Sequence, residues 1–329
     1  MKLAVTALVL LFPLLAQGQQ LEPPYQLDPG ESPPATVPPP PTTDPAPVPS
    51  GGGWPAANGA GVGLNHPNCP TTNPPAYSGS TTITQDGTRI FNARITSTLT
   101  IKAHNVTIEC VDLTASGASF GIRIGQSGAP ANNTTIRYSR IHNVGVTSTR
   151  QGKCIYPTGN GKGAIIEYNE IFDCEDGIHS ERSDVTIAWN WIHDMKTSGT
   201  EGVSGLHSDP ITIAAGSNIA IRNNLLAPHP TLNVSSTIMV QPAGSCPVMG
   251  NIDIVENFID SDGTGHTILS DRSAGCSCPT GMDILNNQFG SKVGTAVSNG
   301  SGQKACPPVT QRGGSCSGNR RFDGSLVGC

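Results

Sequence analysis

Seven segments of this chain repeat one short pattern, and that repetition constrains its fold more than any other feature. They lie at 105–113, 133–141, 163–171, 184–192, 218–226, 251–259 and 281–289. Each opens on a polar residue or glycine, runs through an alternating apolar stretch, turns, often at Asn, and ends on another apolar residue. Their anchors are Ile108, Ile136, Ile166, Ile187, Ile221, Ile254 and Ile284, spaced from 21 residues (166 to 187) to 34 (187 to 221). A fixed unit with variable insertions is the mark of a solenoid. Each unit offers a second short apolar run, at 121–124, 154–156, 177–179, 210–213, 237–240, 267–269 and 295–297. Several strands per unit, with inward β-branched residues and Asn or Gly at the bends, exclude leucine-rich and helical repeats. The simplest winding is an all-β, single-stranded parallel β-helix of about 8 coils, whose first coil runs from Thr82 to Ile101.

The ends of the chain are different in kind. Met1-Lys2-Leu3, an apolar run to Ala16 and small residues up to Gly18 predict a secretory signal at 1–18. That run is too short to span a membrane. Between Leu21 and Ser50 stand 12 prolines, a composition that cannot bury a core, so 19–53 is expected to be an extended Pro/Gly-rich linker. The β-helix domain, with an N-terminal cap, is expected over 54–305 and a Cys-rich, disulfide-held cap over 306–329. All 10 cysteines follow the signal, which fits a secreted, extracellular protein. Cys154 with Cys174, and Cys246 with Cys276, stand about one coil apart and are candidates to staple neighbouring coils. A net charge of -5 argues against a nucleic-acid partner. The sequons at Asn105, Asn132, Asn133, Asn233 and Asn299 would carry glycans only in a eukaryotic secretory pathway.

Chemistry concentrates in one stretch. Glu175, Asp176, His179, Glu181 and Arg182 crowd into 175–182, in a chain that is only 13% charged. Strand alternation predicts an outward row of Arg123, Tyr156, His179, Thr212, Met239 and Leu269 along the second strands. A companion row holds Gly125, Thr158, Glu181, Ala214, Gln241 and Asp271, and the preceding bends hold Lys153, Asp176, Asp209 and His266. The middle coils are therefore rich in acid, base and cation. His207-Ser208-Asp209 is not read as a serine-hydrolase triad, because adjacent residues on one strand cannot converge. His142 and His193, at matching places in two repeats, read as structural. Trp189 and Trp191 are either a sugar platform or packing for a loop.

The Asn-x-x-Ile-x-x-Asn-x-Ile repeats, over roughly Thr81 to Gly300, resemble the right-handed parallel β-helix proteins of the pectate-lyase-like superfamily. The resemblance implies a right-handed fold and a carbohydrate-active protein. The chain lacks the Asn-Thr-Asp, Asp-Asp, Gly-His-Gly and Arg-Ile-Lys set of polygalacturonase-type members, so no family's catalytic residues transfer to it. β-Elimination of a uronic-acid polymer needs carboxylate neutralisation, by Arg or Ca2+, together with a base and a proton donor. His179, Arg182, Glu181, Asp176, His207, Asp209 and Lys153 are the candidate catalytic residues. Arg123, Tyr156, Gln241, His266, Asp271 and Arg272 are the candidates for substrate binding. The leading expectation is a monomeric lyase acting on an acidic extracellular or cell-wall polysaccharide. The alternatives are a glycoside hydrolase pairing Asp176 with Asp209 or Glu181, and a non-catalytic carbohydrate-binding scaffold.

Overall fold

The computed structural model describes residues 59–145, 152–196, 208–227, 236–243, 245–260, 266–273, 275–290, 293, 297–299 and 305–328. The expected signal, the whole of the expected linker and His207 lie outside these residues. No helix among them is long and apolar enough to cross a membrane.

The chain winds as a right-handed parallel β-solenoid. Each coil contributes one strand to a second sheet and one or two to a first sheet. The second sheet stacks Thr82–Ile83, Leu99–Ile101, Phe120–Ile124, Lys153–Pro157 and Asp176–Glu181. It continues through the start of Asp209–Arg222 to Ser236–Val240, His266–Ser270 and Val297–Ser298. The first sheet begins at Arg89–Ile95 and Thr107–Ser116 and carries the seven repeats. The coil count differs slightly from the expected eight, and part of the Cys-rich tail joins the first sheet as a rung. Ser315–Ser317 and Arg320–Arg321 pair in register with Thr280–Leu285 and Gln288–Phe289.

The repeat anchors explain the interior. Ile108↔Ile136↔Ile166↔Ile187↔Ile221↔Ile254↔Ile284 form one unbroken register column, and every member is fully buried. A second column, Ile122, Ile155, Ile178, Ile211, Ile238 and Ile268, faces it from the second sheet. β-Branched side chains lose little rotamer freedom on a pleated surface, and each coil buries its apolar edge against the next.

The Asn of the repeat turns is a second column. Asn169, Asn190, Asn224, Asn257, Asn287 and Asn319 are buried, and from Asn169 each donates its backbone N–H and its Nδ2 to the Oδ1 of the next, at 2.9–3.0 Å. Each Nδ2 also donates to an isoleucine carbonyl of the preceding coil, as Asn190 does to Ile166 at 2.9 Å. The residue before each Asn is left-handed at several of these corners; Tyr168 and Trp189 take φ of 54° and 58°, and Tyr138, at the matching corner of an earlier coil, takes 55°. Bulky residues rarely adopt that conformation, and the ladder holds them there.

The segment after Gly59 runs first along the side of the solenoid and then onto the open edge of its first coil, where Ala76 pairs with Arg94 and Tyr77 packs against the core. Gly63 N–H donates to Tyr168 O at 2.8 Å, the His66 ring stacks on Tyr138 at 3.9 Å, and Cys69 is bonded to Cys110. The segment then reaches the first coil, where Tyr77 N–H donates to Arg94 O. Leu64 is buried among Cys110, Tyr138 and Tyr168, an outward apolar strip that the corner residues create. Both expected staples are formed, Cys154–Cys174 and Cys246–Cys276, with a further bond at Cys278–Cys306.

Candidate active site on the second sheet

The strand Asp176–Glu181 lies between Lys153–Pro157 and Asp209–Arg222, and register aligns the chemistry. Asp176 stands beside Lys153 on one side and Asp209 on the other, while His179 stands beside Thr212. On the preceding rung Arg123 is paired with Tyr156. Gly177, between Asp176 and Ile178, lies where the neighbouring strand and the interior approach closely. A Cβ there would stand 2.5 Å from Pro210 O and 3.0 Å from Ile192 Cγ2.

His179 Nδ1 lies 2.8 Å from Asp176 Oδ2, and its Nε2 lies 3.6 Å from Glu181 Oε1. The Tyr156 ring meets the imidazole edge-on at 5.5 Å. Two cations flank that phenol, with Arg123 Cζ at 5.9 Å and Lys153 Nζ at 5.3 Å from the ring centre. Thr158 Oγ1 donates to Glu181 at 2.8 Å. All of these side chains except Asp176 and Thr158 are half-buried, so the cluster lies partly desolvated on the face of the second sheet.

The carboxylates set the electrostatics. Burial opposes the charge of His179, but its hydrogen bonds to Asp176 and then Glu181 prevail and hold its pKa above the usual imidazole value. The hydrogen bond with His179 lowers Glu181 to about 2. Burial raises the Tyr156 phenol. Asp209 is fully buried; its Oδ1 accepts from Ser236 N at 2.8 Å and Ser236 Oγ at 2.6 Å. Burial, and then the neighbouring Asp176, push Asp209 well above the usual carboxylate range. Its Oδ2 has no hydrogen-bond partner among the described residues.

Other sequence candidates lie elsewhere. Arg182 does not join this cluster. It is buried, its Nε donates to Gly161 O at 2.9 Å, and its terminal nitrogens donate to Ile124 O and Ala131 O. Desolvation lowers it to about 10. A Cβ on Gly161 would sit 1.8 Å from that guanidinium, so the glycine makes room for it. The companion row is also displaced. A bulge between Ser180 and Glu181 pairs Glu181 with Ala215 rather than Ala214. Gln241, His266, Asp271 and Arg272 sit two and three rungs beyond His179, on the order of 10–15 Å away. There Gln241 donates to Asp271, and Arg272 donates to Cys276 O at 3.4 Å.

On the first sheet, His142 and His193 stack on the two sides of Phe172, at 4.7 and 5.0 Å. Trp189 stacks on Tyr168, and Trp191 stacks on His193, with Gly59 against its ring. Both tryptophans are thus engaged in packing. Sequence patterning alone did not point to Ser236, the residue that fixes Asp209. Its only signal was its place at the same bend one coil later. Among the described residues no group of three or more His, Cys, Asp or Glu is set to hold a metal ion, Ca2+ included.

Residues 77–230 match the family model described as right handed beta helix region. No curated protein sequence matches the chain. Among solved structures, the Dettilon tailspike protein is 14% identical with a TM-score of 0.46, over 73% of this chain and 47% of that one. Pectate lyase Pel9A is 12% identical with a TM-score of 0.45, over 74% and 59%. PfbA, a surface adhesin of Streptococcus pneumoniae, is 15% identical with a TM-score of 0.39, over 66% and 62%. The chain spans less than two thirds of each, and at these identities and scores no activity is carried over from them.

Proposed function

Because this chain is a right-handed parallel β-helix protein, we propose that the outer face of its second sheet is the active face of a polysaccharide lyase. Its substrate is an acidic extracellular or cell-wall glycan, and the protein acts as a secreted monomer. The observation that carries this reading is the aligned set Arg123, Tyr156 and His179, with His179 held 2.8 Å from Asp176. Arg123 and Lys153 neutralise a uronate carboxylate, which makes the adjacent C5 proton removable. Neutral His179 takes that proton through Nε2, with Asp176 orienting the ring through Nδ1. The electron pair forms the C4–C5 double bond, the C4–O bond breaks, and the Tyr156 hydroxyl gives its proton to the departing oxygen.

A second reading rests on Asp209. A carboxyl group pushed toward its protonated form beside Asp176 is the pairing on which a hydrolase acid and its partner are built. The products separate the two. Purified protein would be incubated with pectic, alginate, glucuronan and glycosaminoglycan polymers, following near-ultraviolet absorbance and reducing ends together. The lyase yields both signals on one of them. Reducing ends alone would replace it with the hydrolase, and binding without either would leave a carbohydrate-binding scaffold.

A further inference from the structure

The face that carries His179 changes character along its length. On the N-terminal side, the rungs beside it present Arg123, Lys153 and Tyr156. On the C-terminal side, the same register row continues through Thr212 to Met239 and Leu269. Met239 and Leu269 are half-buried, each with one side open to solvent. Of the titratable groups flanking them, Asp271 accepts from Gln241 and Arg272 donates to Cys276 O, while His266 stands exposed at the start of the Leu269 strand. Thr212, at the junction, is buried, and its Oγ1 has no hydrogen-bond partner among the described residues. A polymer lying along the helix axis therefore meets cations on one side of His179 and methyl and thioether groups on the other. Strand spacing sets these positions about 4.8 Å apart, so consecutive sugars meet different chemistry.

Resting on the lyase reading above, we infer that the substrate is a heteropolysaccharide in which the uronate at Arg123 and Lys153 is followed, about three sugars further along, by one bearing an apolar substituent. That substituent is a methyl ester, an O-acetyl or a 6-deoxy methyl group, and it lies on Met239 and Leu269. A uniformly ionised polyuronate would place a carboxylate against these two side chains and lose its hydration there without a partner.

The test compares four polymers: fully de-esterified polygalacturonate, its partly methyl-esterified form, its partly acetylated form, and an alternating uronate and 6-deoxyhexose polymer. Binding would be read by affinity electrophoresis and turnover by initial rate, with the full chain. At least one decorated polymer is expected to exceed the de-esterified one by about tenfold, the scale on which an apolar contact discriminates. The preferred member identifies the substituent. Met239→Gln and Leu269→Thr, checked for an unchanged unfolding midpoint, should bring that ratio close to unity, whereas Arg123→Ala should weaken every polymer alike. Preference for the de-esterified polymer, or a ratio unmoved by both substitutions, overturns the inference while leaving the lyase reading intact. Selective binding without turnover does the reverse, and no binding to any of the four overturns both.

Discussion

At the scale of single residues, His179 meets two opposed demands. Its bonds to Asp176 and Glu181 favour the imidazolium, yet proton abstraction needs the neutral ring. Turnover should therefore rise with pH through a value above the ordinary imidazole pKa, and Asp176→Asn should shift that limb downward; a pH–rate profile reads both. Stability should run the other way. A group whose folded pKa is raised contributes fully below its unfolded value and loses that contribution as pH climbs through the folded one. Glu181, lowered to about 2, contributes above the usual carboxylate range and loses it as pH falls toward 2. Unfolding midpoints should thus peak between the two, and a midpoint still rising through the active range would contradict the assignment. Arg182 offers a contrast. Arg182→Met takes the arginine donor from three buried carbonyls, of which Ile124 O keeps Thr158 N–H, and should cost on the order of 3 kcal/mol in denaturant unfolding. The crowding of 175–182 was legible in the sequence because charge is so scarce elsewhere. That Arg182 turns inward was not, because it follows a bulge that no spacing announces.

At the scale of elements, the Asn column ties one coil to the next through a side chain and a main chain at once. Asn224→Ala removes the acceptor of Asn190 and the donor to Ile187 O, and should lower stability by on the order of 2 kcal/mol. The same change at Asn319, on the last described rung, should cost less, since the column ends there; equal losses would mean that the ladder does not couple coils. Asn in the turns was visible as a repeat feature, but its burial was not, since an exposed turn Asn reads identically. The bond Cys154–Cys174 closes a separation of 20 residues directly before the site strand, and removing it should cost about 3 kcal/mol. Its spacing of one coil made it foreseeable. By contrast, the placement of residues 59–69 along the side depends on which corner residues happen to be aromatic, a property of the assembled surface rather than of that segment's own pattern.

At the scale of the whole molecule, the solenoid stores its stability between neighbours. Ile187→Ala, inside the unbroken column, should cost about 2–5 kcal/mol, measured by equilibrium unfolding. The period of the anchors made this architecture readable, because only a coil that repeats can bury the same position again and again. The same regularity turns one face of the second sheet into a ruler on which Arg123, Tyr156 and His179 stand in line. On the proposed reading, this line removes a proton and splits a glycosidic bond. The most direct measurement is the near-ultraviolet absorbance of an acidic polymer incubated with the wild-type chain and with His179→Gln. A steady rise is expected for the wild type and a loss of at least about a hundredfold in the variant, whose fold and polymer binding are retained. An equal rise in both, or none with the wild type on any acidic polymer, would contradict it.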